Sequence, residues 1–294
     1  EGSVNLYHYG SKKLETTTTG AKVTGALEVT QEYPSIRPTL DLNFAATKTL
    51  DRRITFTRDS LGTYTDENGL VKYASNNVPR FDHDPATGES LGLLIEEERI
   101  NYCRSSVDLG SGQWNASSGG YAIDNAITNP DGSVGAYHHT GLEWFHTMDI
   151  SSASTNTIRV SLWVKERSGQ SGNIDIQIYQ QVSGTVTNLG GPSFNPATAV
   201  ITTATHSSDE RVVEYPNGWY RIAFTMTAPS GNFTSSTRID LQNTEHYVWG
   251  IQVEAGTFET SYIPTSGSTV TRARDYAKIT GTNFSDFYNK DEGT

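Results

Sequence analysis

Residues 159–165 read Arg159-Val-Ser-Leu-Trp-Val-Lys165, and their pattern decides the class of fold. Val160, Leu162 and Val164 alternate with Arg159, Ser161, Trp163 and Lys165. A period of two puts the aliphatic set on one side of an extended strand and the rest on the other. The alternation returns as Ile174, Ile176 and Ile178 against Asp175, Gln177 and Tyr179. It returns again as Tyr220, Ile222, Phe224 and Met226 against Trp219, Arg221 and Thr225. Tyr247, Trp249, Ile251 and Val253 are expected to close the set. One apolar face per strand, with regular turns between, predicts two antiparallel sheets packed face to face. The fold is therefore expected to be all-β, with a jelly-roll sandwich over 107–263.

Upstream the strands are shorter. Residues 1–33 alternate in runs of about five, broken at Gly10-Ser11, Gly20 and Gly25. Residues 34–106 read as an extended β connector, entered through Pro34 and Pro38. Within it, Thr63 to Tyr73 is expected to form a hairpin, because Asn68-Gly69 suits a tight turn. The turn Pro79 to Gly88 should lead into a strand from Leu91 to Ile95. Residues 264–294 are expected to lead away as a linker into a following domain of a longer polypeptide.

Composition narrows the function. The net charge is −11 with scattered Lys and Arg, which argues against a nucleic-acid partner. No run approaches the ~20 apolar residues of a membrane span, so no membrane insertion is expected. The one cysteine, Cys103, excludes an intrachain disulfide and a multi-Cys metal site, and reads as a packing residue.

Most chemical candidates are weak. Asp82-His83-Asp84 is too local to surround one ion, and its carboxylates are expected to cap the turn before Pro85. Glu96, Glu97 and Glu98 alternate in direction and are expected to be a solvated strand end, not a pair facing a sugar. His138, His139 and His146 lie in no metalloprotease pattern, and no Gly-x-Ser-x-Gly elbow or phosphate loop is present. No catalytic residue and no cofactor is expected. A structural calcium is conceivable at Asp131 or Glu254, but no spacing demands it. The better candidates are Trp163 and Tyr179 with Asp175, Gln177 and Arg221, all on outward faces of the sandwich. An aromatic ring stacks on the C–H face of a sugar while amides and carboxylates hold its hydroxyls. Loops or a neighbouring subunit covering these faces is the competing reading. Trp114, Trp219 and Trp249 are assigned to the core.

Three blocks of sequence carry a resemblance. The first is Gly10-Ser-Lys-Lys-Leu-Glu-Thr-Thr17. The second runs through Ile54-Thr-Phe-Thr-Arg58, Val78-Pro-Arg-Phe-Asp82 and Leu93-Leu-Ile-Glu-Glu97. The third is Trp249-Gly-Ile-Gln-Val-Glu-Ala-Gly256, Ser261-Tyr-Ile-Pro-Thr265 and Thr271-Arg-Ala-Arg-Asp275. Together they resemble phage tail-fibre and related virion appendage proteins. The chain departs from the usual pattern at Glu98-Arg-Ile-Asn101. The resemblance implies a fibre-like repeat at residues 1–33 and a sandwich similar to carbohydrate-binding modules. It implies a homotrimer on the virion, in contact with other tail proteins and with a host-surface glycan bound non-covalently. The alternatives are a polysaccharide depolymerase domain and a secreted carbohydrate-binding module attached to a bacterial enzyme.

Overall fold

Gly10, at φ +74°, closes the first hairpin, a backbone state that glycine enters without strain. The computed structural model describes residues 4–17, 20–24, 40–148, 150, 153–202, 206–243 and 245–291. By contacts the chain divides into Glu1–Asp41 and Leu42–Thr294. In the first unit β1 (Asn5–His8), β2 (Ser11–Thr17) and β3 (Gly20–Val23) form an antiparallel meander. Its register sets Leu6 opposite Leu14, and Leu14 opposite Val23. None of its described residues is buried, so this apolar row has no core of its own. The readings at Gly25, Pro34 and Pro38 lie outside the described residues.

The second unit begins with α1 (Phe44–Thr47), whose first turn is capped by the Asn43 side chain on the Ala46 N–H at 3.2 Å. The connector is built of short β hairpins. β4 (Thr55–Thr57) is followed by the hairpin β5 (Gly62–Thr65) and β6 (Val71–Ala74), then by β7 (Phe81–His83) paired with β8 (Ser90–Leu93). The β5–β6 hairpin forms as expected, but of Asn68 and Gly69 only Gly69 takes a positive φ, +74°. β8 stops two residues short of the expected end. Asp84 caps its turn as expected, accepting from the Ala86 and Thr87 N–H groups at 3.0 and 2.8 Å. β9 (Arg99–Asn101) leads into the sandwich.

The sandwich strands are β10 (Trp114–Thr128), β11 (Val134–Met148), β12 (Thr157–Lys165), β13 (Ile174–Val182), β14 (Thr185–Gly190) and β15 (Ser193–Asn195). They continue with β16 (Val200–Thr202), β17 (Ser207–Tyr215), β18 (Trp219–Thr227), β19 (Thr237–Asn243) and β20 (Tyr247–Ala255). One antiparallel ladder runs β16-β15-β13-β19-β11-β20-β12-β18-β17, with β10 on β11 and β14 on β13. β11 meets β20 through only two residue pairs, Tyr137 with Val248 and His138 with Tyr247. At this narrow junction the ladder folds over, and its halves face each other. Ile174, Ile176, Ile178, Ile239 and Leu241 of one half meet Val160, Leu162, Ile222, Phe224 and Val253 of the other in one buried cluster. The fold is all-β, and the period-two aliphatics are its core.

Two expectations are corrected. Tyr247, Trp249, Ile251 and Val253 do not share a face. A bulge at Gly250 (φ +63°) inserts one residue opposite Leu162 and rephases the strand. Val248, Ile251 and Val253 therefore enter the sandwich core, while Tyr247 and Trp249 join a second cluster outside it. Nor do residues 264–294 simply lead away. β21 (Val270–Arg272) pairs with β9, and β22 (Tyr276–Lys278) pairs with β4. A last short helix, α2 (Thr282–Ser285), follows.

Candidate functional site

The five proposed ligand residues fall into two groups on opposite sheets. Asp175, Gln177 and Tyr179 stand in one row on β13, where each is half-buried and each alternate residue is core. Their partners on β19 are Gln242, Asp240 and Arg238. The Arg238 guanidinium lies over the Tyr179 ring, 4.5 Å from its centroid, and donates to Asp240 at 2.8 Å. Gln242 Nε2 donates to the Tyr179 hydroxyl at 3.3 Å. Gln177 donates to the Gly191 carbonyl and accepts from Asn188 Nδ2, each at 3.4 Å. Asp175 accepts from the Ser193 hydroxyl and from Asn243 Nδ2. These bonds hold an aromatic ring, amides and a carboxylate along one face of a regular sheet.

Trp163 and Arg221 lie on the outer side of β12 and β18, but that side is covered. Trp163 is 1% exposed. Tyr215, Trp249 and Tyr262 meet its ring edge-on at 5.4, 5.1 and 5.7 Å, and Arg221 sits over its face at 4.6 Å. Arg221 also donates to Ser161 Oγ at 3.1 Å and the Thr260 carbonyl at 2.8 Å. The expectation of an open stacking platform at Trp163 is corrected. The cover comes from within the chain, since Val71 of β6 and Tyr262 belong to the same cluster.

Beside this cluster lies a seam of buried ions. Arg58, Arg80 and Arg272 are each at most 1% exposed. Asp275 accepts from Arg58 at 3.2 Å and from Arg80 at 2.5 Å, and its Oδ2 also takes the Glu96 N–H at 2.9 Å. Glu96 bridges Arg80 at 2.8 Å and Arg272, and accepts from the Ser261 N–H and hydroxyl at 2.7 and 2.6 Å. Burial pushes the Glu96 carboxyl up, but Arg272 and Arg80 outweigh it and hold Glu96 below its usual range. Glu96 is thus no solvated strand end. The clue was its place within the quoted blocks. Arg58, Arg80, Glu96, Ser261, Arg272 and Asp275 all come from the segments that carry the resemblance, and they meet at one buried point. The second and third blocks thus lock the connector to the C-terminal segment.

The remaining candidates have structural partners. Asp131 accepts from the Tyr73 hydroxyl at 3.0 Å and from the Ser133 N–H at 2.9 Å. Glu254 is buried and accepts from the Thr260 N–H at 3.0 Å and from Gln252 at 2.8 Å. Among the described residues no three His, Cys, Asp or Glu side chains converge as a metal site. Burial pushes the Cys103 thiol up to about 12, which leaves it un-ionised at neutral pH. His138 is buried against Tyr247, its ring edge-on at 5.8 Å. His146 lies inside the sandwich, edge-on to Trp114 at 5.2 Å. Burial, with Arg104 nearby, lowers His146 to about 4. No protein-family model and no curated protein matches the chain.

Proposed function

We propose that the chain is a structural and receptor-recognition segment of a phage tail fibre or similar virion appendage, binding host-surface glycan without covalent chemistry. The observation that carries the binding half of this reading is the β13–β19 face. Tyr179 is half-exposed beneath Arg238, beside Asp175, Gln177 and Gln242, all pinned by hydrogen bonds. The virion half is supported by the three sequence blocks. The apolar row Leu6, Leu14 and Val23, none of it buried, supports assembly with further copies of the chain, as a homotrimer. Three copies would turn weak single-site binding into avidity.

Two experiments test the reading. Immunogold or cryo-electron microscopy with an antibody to this segment should place it on the virion tail, and a location elsewhere sinks the virion half. Retention of the protein on immobilised host polysaccharide should fall in Tyr179→Ala, with no release of reducing ends. Release of reducing ends would instead favour a depolymerase.

A further inference from the structure

A cleft of about 250 Å3 lies between the two hairpins β5–β6 and β7–β8 and the outer side of the β12–β18–β17 sheet. None of its lining residues belongs to β13 or β19. Its walls include Asp82, His83, Trp163, Tyr215, Arg221 and Glu259. Three of these carry a buried polar atom with no hydrogen-bond partner: His83 Nε2, Trp163 Nε1 and Arg221 Nε. His83 and Trp163 are only 5% and 1% exposed. Buried polar atoms are ordinarily paired, so three unpaired ones around one cavity mark a place where a polar ligand gains bonds that the protein leaves unmade.

The kind of atom identifies the kind of ligand. His83 Nδ1 lies 3.0 Å from the Thr65 carbonyl, which only accepts. Nδ1 therefore carries a proton, and in the neutral ring Nε2 presents a lone pair. Trp163 Nε1 and Arg221 Nε present N–H donors. Asp82 spends Oδ1 on the Thr65 N–H at 2.7 Å. Burial raises its carboxyl, and Glu96 nearby adds to the rise. Glu259 is already matched, by Arg159 at 2.7 Å and by Arg211 at 3.0 Å. An anion entering here would meet Asp82 and Glu259, and a cation would meet Arg221. A hydroxyl group donates and accepts at once, and suits donors and a lone pair set side by side. The volume falls just below the roughly 300–1,000 Å3 of ordinary ligand pockets, which limits the guest to about one ring.

We propose that this cleft binds a single neutral sugar residue, as a second site apart from the β13–β19 face. The proposal rests on the glycan reading above for the source of the sugar, but on separate residues. Trp163 is one of the lining residues, and its indole N–H has no partner. That makes the Trp163 indole N–H the natural reporter.

The test is a titration of the 15N-labelled full chain with glucose, galactose and N-acetylglucosamine, following the indole N–H resonances. The Trp163 resonance is assigned by its loss in Trp163→Phe. At least one sugar should move it saturably. Asp82→Asn and Arg221→Lys should each weaken that binding about tenfold, and Tyr179→Ala should leave it unchanged. No movement with any of the three sugars overturns the proposal, as does equal binding in both cleft variants or loss of binding in Tyr179→Ala. An intact cleft response, with polysaccharide retention unaffected by Tyr179→Ala, supports the cleft and removes the β13–β19 face as the glycan platform.

Discussion

Strands β12 and β13 are each nine residues long and share one alternation, yet they lie in opposite surroundings. Along β12 every residue from Ile158 to Val164 is buried, whereas β13 alternates buried and half-buried as far as Gln180. The inner faces are alike. The difference lies on the outer faces. Hairpins from the preceding hundred residues and the segment around Tyr262 cover β12, and the described residues leave β13 half open. Similar polar side chains thus do different work. Around β12 they make a buried ionic seam, and on β13 they line a half-open surface.

The largest effect should come from breaking the seam. Asp275→Ala leaves Arg58 and Arg80 without their shared carboxylate, in a site closed to water. The unfolding free energy should drop by about 3–5 kcal/mol, the cost of stranding buried charge. Urea denaturation measures it, and a loss below about 1 kcal/mol would mean that the arginines find other partners.

The sheet that carries β13 has a buried titration on its core side. His146 titrates at about 4 when folded and near its ordinary 6.5 when unfolded. The unfolded chain therefore takes up the proton first. Stability is complete above pH 6.5 and falls as the pH drops toward 4, by roughly 3 kcal/mol from this group. In His146→Phe the fall over that window should largely disappear from a series of urea melts. Glu96 acts lower still, since its stabilisation is full above the ordinary carboxylate value and is lost as the pH falls through its lowered one.

A smaller effect tests the covering of β12. A Cβ on Gly250 would stand 2.6 Å from the Trp163 ring, on backbone at φ +63°. Gly250→Ala should cost about 1–3 kcal/mol, and near-UV circular dichroism should report a disturbed Trp163 cluster. The smallest effect on stability belongs to the open face. Tyr179→Ala should change the unfolding free energy by about 1 kcal/mol or less, while glycan retention falls. A large stability loss there would erase the contrast between the two faces.

Period two identified the core because each inner side chain is placed by its immediate neighbours. It did not show what lies outside each sheet, because that depends on contacts such as Arg58 with Asp275, 217 residues apart. The same limit explains Trp163, legible as outward-facing but not as covered. It explains Glu96, which is followed in sequence by two more glutamates and is met in space by two arginines. The Gly250 bulge was hidden because one extra residue leaves the composition of a strand unchanged while exchanging its faces. Asp175, Gln177 and Tyr179 were readable as one row because a single strand carries all three.

The pairing of β4 with β22 has a mechanical consequence. The strands are antiparallel, with Thr55 opposite Lys278. The chain enters β4 and leaves β22 at the same end of that ladder. Tension applied through residues 55 and 278 would therefore peel the two strands apart one bond at a time. The next obstacle inward is the Arg58–Asp275 pair, reached before any strand of the sandwich bears load. Under traction the seam acts as a catch, and the sandwich hangs beside the line of force, still folded while the catch holds.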